Sequence, residues 1–200
     1  MNRRAEPRAT DKGRLHGLLS EMAVKHGEFI LSSGQTSDFY VDCRRVTYHA
    51  LGADIIGRLF CAKLITFEKD SGVFIDAVGG LTMGADPIAM AMVMTGGGHR
   101  QINGFSIRKE AKDHGASGGS RFVGPLNLER NWNALVIEDV VTTGASAISA
   151  IEALRAETDQ KITVRGVFCL VDREEGGMQA ITDQTGLPAW ALFRRKDFQK

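Results

Sequence analysis

Residues 136–146 read VIEDVVTTGAS. An apolar run over residues 134–137, suited to a buried strand, leads into two carboxylates, Glu138 and Asp139. Val140 and Val141 follow, then Thr142, Thr143, Gly144, Ala145 and Ser146. Behind them the spacing predicts a helix over residues 147–156, with Ile148, Ile151 and Leu154 inward. In open α/β sheets, ligands bind outside the carboxyl ends of the strands. A helix N-terminus there offers unpaired N–H groups and a positive dipole end, both suited to phosphate. The hydroxyls of Thr142, Thr143 and Ser146 add donors, and Gly144 lets the backbone approach closely. The two carboxylates stand where they could accept hydrogen bonds from a vicinal diol. A phosphate beside a diol describes a ribose phosphate. The plain alternative is a strand end followed by a capped helix, because capping uses the same residue types. No GxxxxGK[ST] occurs, and no GxGxxG follows an expected strand, so other phosphate motifs are excluded.

The same alternation extends outward. Leu15, Leu18, Leu19, Met22 and Ala23 predict a helix stopped by Gly27, followed by β segments at residues 29–31 and 39–41 interrupted by Ser33-Gly34. Leu51, Ile55, Leu59 and Ala62 mark another helix. Residues 73–78 form a compact apolar run ending in Gly79-Gly80, and Asp86-Pro87 reads as an N-cap and first position opening a helix over residues 88–94. Strands are expected at residues 102–107, 164–171 and 189–193. Strands alternating with helices imply an α/β fold with a mainly parallel central sheet flanked by helices. Residues 11–200 are expected to form a single domain after a disordered basic tail over residues 1–10.

Composition bounds the partners. Lys and Arg number 25 against 24 Asp and Glu, for a net charge of +1. No global field draws in nucleic acid or a membrane, so any anion site must be local. Three cysteines without CxxC spacing argue against a disulfide framework or structural zinc and fit a reducing cytoplasm. Arg3, Arg4 and Arg8 precede no apolar signal core. No apolar stretch approaches the ~20 residues of a membrane span.

Nothing is periodic between residues 107 and 126. That stretch carries Arg108, Lys109, Lys112 and His114, then Gly115, Gly118 and Gly119. A loop this long inside a compact domain is disordered or functional. Closing over a departing anion, such cations would stabilise developing charge and exclude water.

The apolar run, acidic pair, two aliphatics and Thr-Thr-Gly of residues 136–144 resemble the motif by which type I phosphoribosyltransferases bind phosphoribosyl pyrophosphate (PRPP). Residues 108–115, RKEAKDHG, look like the mobile catalytic loop of orotate phosphoribosyltransferases. Residues 29–44, FILSSGQTSDFYVDCR, resemble their base-binding segment; residues 79–87, GGLTMGADP, their pyrophosphate-facing loop. Asp172-Arg173 matches as well, and the segments follow the family's order from about residue 15 to 175.

The resemblance implies a small N-terminal β-containing hood over residues 11–45 and a mobile loop over residues 108–121. It implies transfer of ribose 5-phosphate from PRPP to orotate, in pyrimidine biosynthesis, with Mg2+ carried by PRPP and no direct protein ligand. Catalytic roles then fall to Arg108, Lys109, Lys112, His114 and Asp139. PRPP would meet Thr82, Met83 and residues 138–146. Orotate would meet Phe39, Tyr40, Thr142 and Arg173, the last through its carboxylate. One of the two aromatics is expected in the core. In the family the loop reaches into a neighbouring subunit's site, which implies a homodimer. Two departures stand out: Ser32 replaces a common lysine, and Thr82-Met83 replaces a common Tyr-Lys pair. Backbone amides over residues 80–84 and the loop cations remain to meet the phosphates. The alternatives are a phosphoribosyltransferase for another base and a PRPP-binding regulator without catalysis.

Overall fold

The computed structural model describes residues 10–30, 36–96, 101–111 and 120–199. The tail over residues 1–9, together with Ser32, Lys112 and His114, lies outside them. In chain order the elements are α1 (Asp11–Leu18), β1 (Val24–Ile30), β2 (Thr36–Val41), α2 (Arg44–Thr47), α3 (Ala50–Ser71), β3 (Ala77–Leu81) and α4 (Ala85–Gly96). Then come β4 (Asn103–Ile107), β5 (Phe122–Val123), β6 (Trp132–Val141), α5 (Ala145–Glu157), β7 (Ile162–Asp172), α6 (Gly177–Thr185) and β8 (Ala189–Arg194).

Six strands form one sheet in the order β5-β4-β3-β6-β7-β8. Every pairing in it is parallel except β4 with β5. β6 shows how residues with period two build both layers. Leu135 and Ile137 pack on one face with Ile55, Phe60, Ile88 and Phe168, under α1, α3 and α4. Ala134 and Val136 pack on the other with Ile151, Leu154, Val167 and Ile181, under α5 and α6. Strand order reverses between β3 and β6, and a crevice opens at their carboxyl ends, as the geometry of open sheets requires.

β1 and β2 form a separate antiparallel hairpin. The residues after β8 hold it, while an ion pair ties α1 to α3. Asp11 on α1 meets Arg58 on α3 at 2.8 Å in a buried ion pair. Near the C-terminus, Arg195 pairs with Asp38 at 2.5 Å, and Phe198 stacks on His16 at 5.0 Å.

Several expectations change. Gly27 does not stop the first helix, which runs on as a π-helix over Leu19–Ala23 and passes straight into β1. Gly27 lies inside that strand at φ 147°, where the hairpin register shifts between His26 and Phe29. β3 begins at Ala77, not residue 73, and takes in Gly79 and Gly80; Asp76 is used instead to accept from the Asn133 N–H at 2.9 Å. Asp86 is not an N-cap, since α4 starts at Ala85; its carboxylate accepts from the Ser106 hydroxyl at 2.7 Å. β6 does not stop at the acidic pair but carries it, because β7 supplies partners out to Asp172. The aperiodic stretch holds the short strand β5, and α2 and α6 add to the expected helices. No helix among the described residues is long and apolar enough to cross a membrane.

Candidate active site

Glu138 and Asp139 occupy the last turns of pleat in β6. Glu138 is 5% exposed, and its Oε2 is buried without a hydrogen-bond partner among the described residues. Burial, and after it the adjacent Asp139 carboxylate, push the Glu138 carboxyl up to about 8. Burial also raises Asp139; the Val140 N–H, which donates to its Oδ1 at 2.9 Å, and the Arg44 guanidinium pull the other way. A buried carboxyl with a free oxygen wants a hydroxyl or a proton. Gly84 brings the loop after β3 against Asp139: a Cβ there would lie 2.8 Å from the Asp139 Cγ.

Beyond Val141 the chain turns sharply at Gly144, with φ 82°, and α5 starts at Ala145 without a side-chain cap. Glu138 and residues 140–147 line a pocket of about 80 Å³ into which this helix end opens. Gly177 explains why the turn can be so tight. A Cβ on Gly144 would stand 2.7 Å from the Gly177 carbonyl oxygen, and one on Gly177 would stand 2.7 Å from the Gly144 nitrogen. The two glycines let the loop rest on the start of α6.

A larger cleft of about 260 Å³ shares Glu138, Val140 and Ser146 with that pocket. Its walls are Tyr40 and Val41 from β2, Asp42 and Arg44 beyond it, Leu81 to Gly84 after β3, Lys109, and Asp139. The Thr82–Met83 peptide is cis. Arg44 is held by Asp42 through Nε at 2.7 Å and Nη2 at 3.2 Å, and this hydrogen-bonded pair keeps the Asp42 carboxyl low.

Most residues singled out in the sequence meet here. Tyr40, Thr82, Met83, Lys109, Glu138, Asp139, Val140 and Ser146 line the cleft, and Val141, Thr142, Thr143, Gly144 and Ala145 line the adjoining pocket. Three others stand elsewhere. Phe39 is the core aromatic, 1% exposed and tilted against His26 and Phe198, so its ring does not reach the cleft. Arg173 is buried under the hairpin, where Nη2 donates to Ser37 Oγ at 3.1 Å and to the Phe39 carbonyl at 3.2 Å and pairs with Glu175 at 2.8 Å. Its Nε is buried without a partner among the described residues. Arg108 turns from the cleft, donating weakly to the Ser120 carbonyl at 3.4 Å. The sequence reading missed Asp42, Arg44 and Gly177. Asp42 and Arg44 lay inside a quoted segment, but an acid and a base two apart are ordinary surface chemistry.

A parallel sheet whose order reverses beside an acidic pair, with a small-residue loop opening a helix behind it, defines the type I phosphoribosyltransferase fold. No protein-family model matches the chain. It is 39% identical over 189 residues to a protein of Rhodopirellula baltica named orotate phosphoribosyltransferase, covering 94% of each chain. It is 42% identical over 189 residues to one of that name from Corynebacterium glutamicum, again covering 94% of each. The solved orotate phosphoribosyltransferase of Mycobacterium tuberculosis in complex with PRPP superposes with a TM-score of 0.72 at 32% identity, over 94% of this chain and 98% of that one. The chain belongs to the orotate phosphoribosyltransferase family.

Proposed function

We propose that the chain transfers the ribose 5-phosphate group of PRPP to orotate, giving orotidine 5'-monophosphate and pyrophosphate. The observation that carries this is the pairing of Glu138 and Asp139 beside the open N-terminus of α5, in one cleft with Lys109. The 5-phosphate fits the pocket lined by residues 140–147, where the N–H groups at the start of α5 and the hydroxyls of Thr143 and Ser146 would supply donors. The ribose diol then donates to oxygens of the two carboxyl groups, which satisfies the free oxygen of Glu138. The pyrophosphate lies toward Thr82 to Gly84, Arg44 and Lys109. Tyr40 is the aromatic placed to flank the base. Ribosyl transfer breaks the anomeric C–O bond, whose electron pair leaves with pyrophosphate. It forms a bond to the orotate nitrogen, whose proton passes to water. Lys109 meets charge as it develops on the leaving group, and enclosure keeps water from the electron-poor sugar carbon.

Magnesium suits this site as a companion of the pyrophosphate. No group of three or more His, Cys, Asp or Glu among the described residues could cage a metal, while Asp139 faces the cleft and can accept from the waters such a cation keeps. When bound it neutralises leaving-group charge. Lys112 and His114 are assigned by resemblance to the same leaving group, and Arg173 to the orotate carboxylate, toward which its unused Nε would serve. We read the chain as a homodimer of the cytoplasm. Met90 and Met94, 51% and 78% exposed beside an apolar groove with Pro87 and Ala91, support a covered face. Three buried, unpaired cysteines support a reducing compartment.

The test is to mix the purified protein with orotate, PRPP and magnesium and follow orotate absorbance. Loss that requires PRPP, with orotidine monophosphate formed, is the expected result. No loss, while another base competes for the ribosyl group, would move the assignment to that base.

A further inference from the structure

We propose that Glu157, at the end of α5 remote from the phosphate pocket, is a positioning residue for Lys109. This rests on the phosphoribosyl-transfer reading above.

The starting point is a single oxygen with three donors. Glu157 Oε2 accepts from the Ser120 hydroxyl at 2.8 Å, the Arg121 N–H at 2.6 Å and the Phe122 N–H at 3.0 Å. A carboxylate taking two backbone N–H groups and a hydroxyl makes strong, directional, charge-assisted bonds. Together they fix residues 120–122 to the last turn of α5.

Arg121 passes that constraint on. Its carbonyl accepts from the Arg108 N–H at 2.8 Å, and its Nε donates to the Arg108 carbonyl at 2.8 Å. Arg108 is therefore gripped at both ends of its backbone by one residue. The carbonyl so held belongs to the peptide unit whose nitrogen is that of Lys109. Fixing that unit sets the direction in which the Lys109 side chain leaves the chain. Lys109 itself is exposed, and no side-chain bond orients it among the described residues.

The geometry has a second reference point on the same helix. Arg121 Nη2 donates to Ser149 Oγ at 3.0 Å, one turn beyond Ser146, which lines the cleft. α5 spans 13 residues, about 20 Å at 1.5 Å per residue. One end forms the phosphate pocket and the other holds the backbone that aims Lys109. A single rigid rod thus sets the distance between the group that anchors PRPP and the cation that meets its leaving group. Such registration matters because a misplacement of about 1 Å can lower a rate by roughly a hundredfold.

The competing account is that Glu157 only secures the edge strand β5, in which case its loss would weaken the fold and leave the chemistry alone. The experiment separates these. Turnover and KM for PRPP and orotate are measured for wild type, Glu157→Gln, Glu157→Ala, Lys109→Ala and the double variant Glu157→Ala/Lys109→Ala, with thermal melts alongside. Expected is a fall in kcat of roughly tenfold to a hundredfold for Glu157→Ala, with KM for orotate within about twofold. Glu157→Gln, whose amide oxygen can accept the same donors, should recover most of that loss. In the Lys109→Ala background, Glu157→Ala should lower turnover no further. A Glu157→Ala enzyme with wild-type kcat overturns the proposal, and so does an equal loss with and without Lys109. Should Glu157→Ala not fold, Arg121→Lys, which keeps the charge but cannot grip Arg108 and Ser149 together, is read by the same cycle and the same outcomes. A wild type that forms no orotidine monophosphate refutes the parent reading and this proposal with it, whereas a normal wild type beside an inert Glu157→Ala effect refutes this proposal alone.

Discussion

Replacing Glu138 by glutamine removes a titration that the fold has displaced. Burial first, and the Asp139 carboxylate second, push the Glu138 carboxyl from the ordinary 4.5 up to about 8. Between those values the folded chain holds a proton that the unfolded chain has released. Stability therefore falls as pH rises, by about 1.4 kcal/mol per pH unit from this group. The contribution is fully present below pH 4.5 and lost once pH passes about 8, a total on the order of 5 kcal/mol. That is a large part of the 5–15 kcal/mol or so that holds a typical domain together. Glutamine keeps the shape and cannot ionise. The stability of Glu138→Gln minus that of wild type should then grow steadily from about pH 5 to about pH 8 and level off above it. Urea unfolding of the ligand-free proteins at each whole pH value gives both curves, provided the m-values agree. The raised Asp139 carboxyl is present in both proteins and largely cancels in the difference. A gap that stays constant with pH, or narrows as pH rises, would show that Glu138 is not held protonated by its surroundings.

Other perturbations address the remaining parts of the site. Lys109→Ala should lower kcat by roughly a hundredfold or more while leaving the melting temperature unchanged, since Lys109 is exposed and lines the cleft; steady-state kinetics with a thermal melt checks both. Asp139→Asn should weaken PRPP binding more than orotate binding, and calorimetry with each substrate decides it. Mixing inactive Lys109→Ala subunits with inactive Asp139→Asn subunits should restore no activity, because both residues line the cleft of one chain; rescue after confirmed subunit exchange would place Lys109 in the partner's site instead. Gly144→Ala forces a methyl toward the Gly177 carbonyl at φ 82° and should destabilise by about 2–3 kcal/mol, read as a melting point about 5–10 °C lower.

How much of this was legible beforehand depended on whether the decisive contact was local. The strand, acidic pair, turn and helix over residues 136–157 lie in one continuous stretch, and hydrophobic period with turn chemistry suffices to read them. Phe39 and Tyr40 show the limit. Adjacent strand residues face opposite sides, so one had to enter the core, but only the packing of the hairpin on Phe198, near the other end of the chain, decides that Phe39 does. Arg173 meets Ser37 across 136 positions, and Arg121 meets Glu157 across 36. No period or spacing predicts such pairs. Gly27 misled for a related reason: glycine ends helices and also serves bulged strands, and only the pairing with β2 selects the second role.

Charge gives the same lesson in sharper form. A net charge of +1 required that any anion site be local, and the cleft shows how it is arranged. Counted by side chain it holds Arg44 and Lys109 against Asp42, Glu138 and Asp139, which taken at face value repels a polyanion. Burial changes that count. With Glu138 held up to about 8 it is neutral at pH 7, and Asp42 is already committed to Arg44. Little free negative charge then remains beside the sugar, and the attraction for phosphate comes from groups that carry no formal charge, the N–H groups at the open end of α5. Lys109 is an exposed cation lining the same cleft, with no ion pair to a carboxylate among the described residues. Its placement therefore controls how leaving-group charge is met, which is why a glutamate at the far end of the same helix can matter to the chemistry.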